Sequence, residues 1–247
     1  MDTLFIRRGV IFVAAVVLSV TAFAGHPLIT EDSGTEGKGA HLVELNSEYS
    51  TISDGRFSSR IVGVCATLTT GVNDHLDLLV DLPFESCTVF SPNVHTSTAG
   101  LETPVIGAKW RFLDASPRLS FAIKSVLSLP YFGQNIQENS FYEMYVIGSF
   151  HGNRYGIHAN TGYANAPGIN EQLWHASIAG EFGVNEKLTA VTNISLDIPG
   201  TENSITTFVG GVIYSITDYF ALDFGVQTTI WNSQKDLTFM TGSALNF

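Results

Sequence analysis

From residue 41 to its end the chain is a succession of short segments in which apolar and polar side chains alternate. A two-residue period belongs to strands whose two faces meet different surroundings. The segments fall at 41–50, 57–72, 76–84, 105–112, 118–130, 141–151, 155–164, 173–184, 188–199, 204–216, 219–230 and 237–247, the last ending on Phe247. In the first, Val43, Leu45 and Tyr49 oppose Glu44, Asn46 and Glu48. In the fourth, Ile106, Ala108, Trp110 and Phe112 oppose Gly107, Lys109 and Arg111. In the fifth, Leu119, Phe121, Ile123, Leu127 and Leu129 oppose Ser120, Ala122 and Lys124. The expected fold is all-β: a transmembrane antiparallel β-barrel of about twelve strands, apolar face to lipid and polar face to a lumen. A soluble β-sandwich shares the alternation and is the alternative. Only 14% of the residues are charged, few for a soluble domain, whereas the chain holds 23 Gly and 17 Phe.

The start of the chain points to export. Arg7 and Arg8 precede an apolar run from Gly9 to Leu18, and Ala22-Phe23-Ala24 follows. A basic stretch, an apolar core and a small-residue site describe a signal peptide over 1–24, with a retained anchor helix as the alternative. No later stretch approaches the roughly 18 uninterrupted apolar residues of a membrane helix, so a mature chain in a membrane would cross it by strands. Losing Asp2, Arg7 and Arg8 takes Lys+Arg from 12 to 10 and Asp+Glu from 23 to 22, a net charge of −12. Electrostatics on that scale exclude nucleic acid as a partner. The expected organisation is a signal peptide (1–24), an acidic segment (25–40) and a barrel (41–247).

The turns sort by length. Gly71-Val72-Asn73-Asp74-His75-Leu76 matches Gly183-Val184-Asn185-Glu186-Lys187-Leu188, and both follow even-numbered strands. Odd-numbered strands tend to end in proline, at Pro83, Pro130, Pro167 and Pro199, and lead into longer connections, notably 85–103 and 131–140. Proline cannot donate to a ladder and belongs where pairing stops. Short turns on one rim and long loops on the other are the periplasmic and extracellular ends of an outer-membrane barrel.

The segment from His26 to Gly39 contains Asp32-Ser33-Gly34-Thr35-Glu36-Gly37-Lys38-Gly39. It resembles the leading segment of a family of outer-membrane transporters associated with the meta-pathway of phenol degradation. Gly71–Leu78, Asp81–Phe84 and Lys109-Trp110-Arg111-Phe112 are similar to that family's second turn, third strand and fourth strand. The resemblance covers about the first half of the mature chain by motif and implies a transporter or channel, with aromatic or other hydrophobic compounds as the solute class.

Inward parity nominates the lumen residues. Lys109, Arg111 and Lys124 form a basic stripe on neighbouring strands, while Asp77, Glu143, Glu181, Asp197 and Asp223 supply acids elsewhere. They form either a transverse field that orients polar solutes or a set of mutually paired charges filling a narrow lumen. Glu31, Asp32, Thr35 and Glu36, just before the first strand, are a candidate plug folding upward against the basic stripe; an unstructured tail is the alternative.

His175-Ala176-Ser177 puts a His and a Ser on one strand face, the beginnings of a hydrolase. That face points inward, because Trp174, Ala176, Ile178 and Phe182 want lipid, and no third partner is identifiable. The chain is accordingly read as a non-enzyme without a cofactor, an outer-membrane lipid hydrolase being the least favoured alternative. His158 and His175 both face the lumen but near opposite rims, and no histidine spacing suggests a metal. Cys65 and Cys87 pair only if the 85–103 loop dips into the barrel; two free thiols are the alternative. Phe90, Tyr131, Phe132 and Trp231 at the outer rim suit either an aromatic solute or an interfacial girdle. The expected function is passive passage of small molecules. A structural or surface-recognition barrel acting through its outer loops is the alternative. Expected partners are the bilayer, lipopolysaccharide, a small solute, and the barrel-assembly machinery, reached through the strand ending in Phe247.

Overall fold

The computed structural model describes residues 26–53, 58–91, 94–129, 141–166, 171–200, 203–231 and 235–247, and among them thirteen strands form. In chain order they are β1 (His41–Ser53), β2 (Ser58–Asn73), β3 (Leu76–Ser91), β4 (Val94–Leu101), β5 (Val105–Ser116), β6 (Leu119–Ser128) and β7 (Tyr142–His151). There follow β8 (Tyr155–Ala166), β9 (Glu171–Gly183), β10 (Leu188–Pro199), β11 (Ile205–Ser215), β12 (Phe220–Trp231) and β13 (Lys235–Asn246). All pairings are antiparallel, and β1 bonds both to β2 and to β13. Because β2 also joins β3, the wall closes on itself with twelve strands and leaves no open edge. The seam is fastened at its end by Phe247, whose carbonyl accepts from the His41 N–H at 2.8 Å and whose own N–H donates to the His41 carbonyl at 3.0 Å.

β4 stands outside that count. β3 pairs with β5 only from Leu76 to Asp81, then continues upward and pairs with β4 from Phe84 to Ser91. The expected irregular loop at 85–103 is therefore largely a β-hairpin that prolongs β3 beyond the wall. Pro83 lies between the two sets of partners, where a missing N–H costs least. Its proline reads as a strand end in the sequence, yet the alternation resumes beyond it.

The barrel is inside-out relative to a soluble protein. Trp174 and Ile178 are 58% and 53% exposed on the outer wall, whereas Glu31 and Asp77 are 0% exposed within. Leu45, Trp110, Met144, Ile157, Ile194, Leu222 and Phe239 continue the outer apolar belt around the wall. Only lipid satisfies such a surface, and the inward residues then fill a polar interior.

The two echoed turns share one device. The Asn73 side chain accepts from the His75 N–H at 2.8 Å, and Asn185 accepts from the N–H groups of Lys187 and Leu188 at 2.8 and 2.9 Å. Such Asx turns reverse the chain locally and place both hairpins on the same rim. The signal peptide, Pro130, Tyr131, Phe132 and Pro167 lie outside the described residues, and so does the Trp231 side chain.

Ile178 sits opposite Ile194 at mid-strand on the lipid face. Ile178→Arg should lower barrel stability by about 2–4 kcal/mol, the cost of an arginine at the bilayer midplane, measured by equilibrium urea unfolding in lipid vesicles.

Candidate functional site

Lys109 on β5 and Lys124 on β6 are direct cross-strand partners, and both point into the lumen. Two ammonium groups side by side repel, and burial away from water makes each expensive. The counter-charge comes from the N-terminal segment. The Glu31 carboxylate is ion-paired to Lys124 Nζ and lies 3.9 Å from Lys109 Nζ. Glu31 is held there by its own backbone, since the Asn160 side chain accepts from its N–H at 2.6 Å and donates to its carbonyl at 2.9 Å.

The remainder of residues 26–39 runs across the lower lumen and touches the wall on most sides. His26 bonds Asp223 on β12. Leu28 packs with Ala179 and Val191, and the Thr30 N–H donates to Asn193 Oδ1 at 2.8 Å. The Ser33 N–H donates to Ser149 Oγ at 2.8 Å, and its hydroxyl lies 2.6 Å from that of Ser120. Thr35 donates to the Asp74 carbonyl at 2.8 Å, and the Glu36 N–H reaches both carboxylate oxygens of Asp77 at 3.2 Å. Near the rim, Gly37 has φ of +85°, and a Cβ on Gly71 would overlap the Gly37 carbonyl. Only glycine at both positions lets the segment press this closely against β2.

The acids of the segment respond differently to this setting. Burial raises the Asp32 carboxyl, but the Lys109 charge and the Gly34 N–H outweigh it and hold it below its ordinary 3.8. Burial pushes Glu36 above its ordinary 4.5; Lys109 opposes this, while Asp77 and Asp32 add to it. A depressed carboxyl stabilises the seated segment above its ordinary value and loses that contribution as pH falls through the lower one. A raised carboxyl favours the seated state at low pH and ceases to do so as pH climbs through its elevated value. The two effects oppose each other, whereas the Glu31 carboxylate meets both lysines directly.

Two of the nominated acids lie beside the lysines, and three pair with histidines elsewhere in the barrel. Asp77 is the cross-strand partner of Lys109, and Glu143 on β7 is the partner of Val126, two residues beyond Lys124 on β6. The Glu143 carboxylate accepts from the Tyr145 hydroxyl at 3.0 Å. Glu181 lies 3.8 Å from His158 Nε2, Asp197 lies 2.7 Å from His175 Nδ1, and Asp223 meets His26. Arg111 stands apart from the plug acids: it donates to the Asp74 carbonyl at 2.8 Å and lies 3.5 Å from Asp114, bracing a short turn.

His158 and His175 occupy adjacent strands, with His158 opposite Ala179 and His175 opposite Gly162. Four residues of offset separate them by roughly 13 Å along the strands. Cys65 and Cys87 are free thiols. Cys65 pairs with Pro83 and Cys87 with Ile61, so the same offset puts them well beyond the roughly 7 Å limit for a bridge. The hairpin extension carries Cys87 up the wall instead of folding it into the barrel.

No family model and no curated protein matches the chain. Solved structures do. An outer-membrane channel from Pseudomonas putida F1 aligns with a TM-score of 0.69 at 13% identity, over 87% of this chain and 98% of that one. The chain has the fold of an outer-membrane β-barrel. The KdgM porin bound to disordered oligogalacturonate aligns with a TM-score of 0.60 at 9% identity, over 83% of this chain and 99% of its own. The CymD monoaromatic hydrocarbon channel gives 0.51 at 8% identity, over 85% and 88%.

Several lumen residues escaped the sequence reading. Asp81 faces inward and accepts from the Thr67 hydroxyl at 2.7 Å, and inward parity alone marks it. His26, Asn160 and Asn193 carried no local signal, because their partners lie far away in the chain. Glu31→Gln should remove the carboxylate paired with Lys124, a loss of about 3–5 kcal/mol for breaking a buried pair. Cleavage at Glu36 by a glutamate-specific protease should then accelerate strongly in the folded barrel, and Lys124→Gln added to Glu31→Gln should slow it again.

Proposed function

We propose that the chain is a passive channel for small molecules in the outer membrane of a Gram-negative bacterium, gated by its own residues 26–39. The observation that carries this reading is the Glu31 carboxylate seated on Lys109 and Lys124 within a barrel of channel fold. A segment anchored chiefly by hydrogen bonds and one charge cluster is removable without unfolding the wall, whose ladders are complete without it.

Above that segment the inner wall changes character. Ile52, Ile61 and Cys87 cluster with Val89, and Leu79, Val105 and Val126 cluster with Phe141, all on the lumen side of β1 to β7. The opposite wall carries His175, Ser177 and Asp197. An apolar wall facing a polar one suits a small aromatic or otherwise hydrophobic compound bearing a polar group. Aromatic and other hydrophobic compounds are the class implied by the family resemblance, and CymD is a channel for monoaromatic hydrocarbons. Lipid and lipopolysaccharide are the surroundings we assign to the outer belt, and the strand ending in Phe247 is the segment we assign to the assembly machinery.

The occupied lumen also supports a second reading, a non-transporting barrel that acts through its outer hairpin. Planar-bilayer conductance separates the two. The native barrel should show rare or small steps, and deletion of residues 26–39 should enlarge them severalfold, with Lys109→Glu shifting selectivity towards cations. Silence from a folded, segment-deleted barrel would leave the second reading standing.

A further inference from the structure

The inner wall holds a complete Ser–His–Asp constellation. His175 Nδ1 lies 2.7 Å from Asp197 Oδ1, and His175 Nε2 lies 2.9 Å from Ser177 Oγ. A carboxylate only accepts, so Nδ1 carries the proton and donates to Asp197, which leaves Nε2 to accept from the Ser177 hydroxyl. This is the tautomer and the order of contacts that nucleophilic serine catalysis requires. The edge of the Tyr145 ring packs 5.7 Å from the His175 ring and limits its rotation. His175 and Ser177 are i and i+2 on β9, while Asp197 arrives from β10 as the direct cross-strand partner of His175.

Donors for a developing negative charge lie beside the hydroxyl. Ser177 is flanked in register by Ser195 on β10 and by Asn160 on β8, whose side chain is already engaged by the Glu31 backbone. The Ser195 hydroxyl and, one inward position further along β10, the Asn193 Nδ2 group are buried without hydrogen-bond partners, although each residue is only 1% exposed. Buried donors are ordinarily satisfied, and an unsatisfied one directly across from the nucleophile, with a second one inward position further on, provides places for a substrate oxygen. His175 and Asp197 lie on the outer side of the seated segment, and Ser177 is level with Asn160, which holds the Glu31 backbone, while Leu28 meets Ala179 and Val191 below. Each member keeps a little accessible surface, 7% for His175 and Asp197 and 8% for Ser177.

We propose that the lumen wall is an esterase site for small, water-soluble carboxylic esters, with Ser177 as nucleophile, His175 as general base and acid, and Asp197 as the positioning residue. Lipid is excluded as substrate by parity, because the neighbours that face the bilayer are Trp174, Ala176 and Ile178. Ser177 Oγ attacks the ester carbonyl carbon as its proton passes to His175 Nε2. The carbonyl oxygen takes up charge towards Ser195 and Asn193. Collapse breaks the bond to the alkoxy oxygen, which leaves as the alcohol with the proton from Nε2. Water then attacks the acyl-serine, gives one proton to Nε2, and releases the carboxylic acid as Ser177 recovers its hydrogen. No oxidant, metal or further co-reactant enters the balance. This inference rests on the lumen-facing register and is independent of whether the channel conducts.

The test uses the refolded mature protein in detergent, its folding checked by heat-modifiable gel migration. A fluorophosphonate probe should form one covalent adduct, mapped by mass spectrometry to the peptide containing Ser177 and absent from Ser177→Ala. Hydrolysis of p-nitrophenyl acetate should fall at least tenfold in Ser177→Ala and in His175→Ala. Asp197→Asn should lower kcat by roughly a hundredfold or more while KM stays within about twofold, and Asp197→Glu should recover part of the loss. A merely structural Asp197 would change folding or KM without that split. A folded native barrel with no adduct at Ser177, or ester hydrolysis unchanged by Ser177→Ala, would overturn the proposal. Conductance is a separate readout, so an electrically silent barrel that hydrolyses esters would sink the channel and leave the site standing.

Discussion

Two lysines side by side on the inside of a closed wall form the constraint around which the lumen is organised. Their position follows from the register of β5 against β6, and that register in turn follows from keeping Ile106, Trp110, Ile123 and Leu127 on the lipid face. A slip of one residue by either strand would put its lysine into hydrocarbon and its tryptophan or leucine inside, so the pairing is strongly enforced. With the wall closed, water alone is a poor solvent for the pair, and the acidic segment becomes the natural counter-ion. Everything that holds residues 26–39 in place serves to bring one carboxylate, Glu31, to that spot.

The small side chains of the lower lumen acquire a purpose in that light. Glycines at 211 and 225 leave room for Pro27, whose ring carbons would lie 2.8 and 2.6 Å from a Cβ built at those positions. Ser149, Asn160 and Asn193 present short hydrogen-bonding groups to an extended backbone that has no strand neighbour of its own, and Ser120 meets the Ser33 hydroxyl. Backbone groups buried inside a barrel must find partners somewhere, and here the wall side chains supply them. The outer half of the lumen needs no such lining, and its β1 to β6 side carries two apolar clusters beside the acids Glu48 and Glu85.

How far the chain could be read beforehand differs from element to element. The wall strands, their faces and the two Asn-led turns were legible, because period two and turn chemistry are local properties. The β3–β4 hairpin was not, since Pro83 resembles a strand end unless one knows that the partner changes there from β5 to β4. His175 and Ser177 were visible as a pair, but Asp197 was not visible as their third member, because a separation of 22 residues becomes a contact only through the β9–β10 register. Arg111 looked equivalent to the two lysines by parity and by strand. Its greater distance from mid-barrel gives it a turn to brace instead of a carboxylate to hold.

The sequence by itself determined that these strands present one face to lipid and the other to a lumen, and that short turns gather on one rim. Both are consequences of alternation and of residues whose conformational preferences act over a few positions. Only the tertiary structure decided which charges meet. Glu31 and Lys124 are 93 residues apart and His26 and Asp223 are 197 apart, and no local rule relates them. Closure of the wall brings its inward residues around one narrow space, and there electrostatics and hydrogen bonding select the partners.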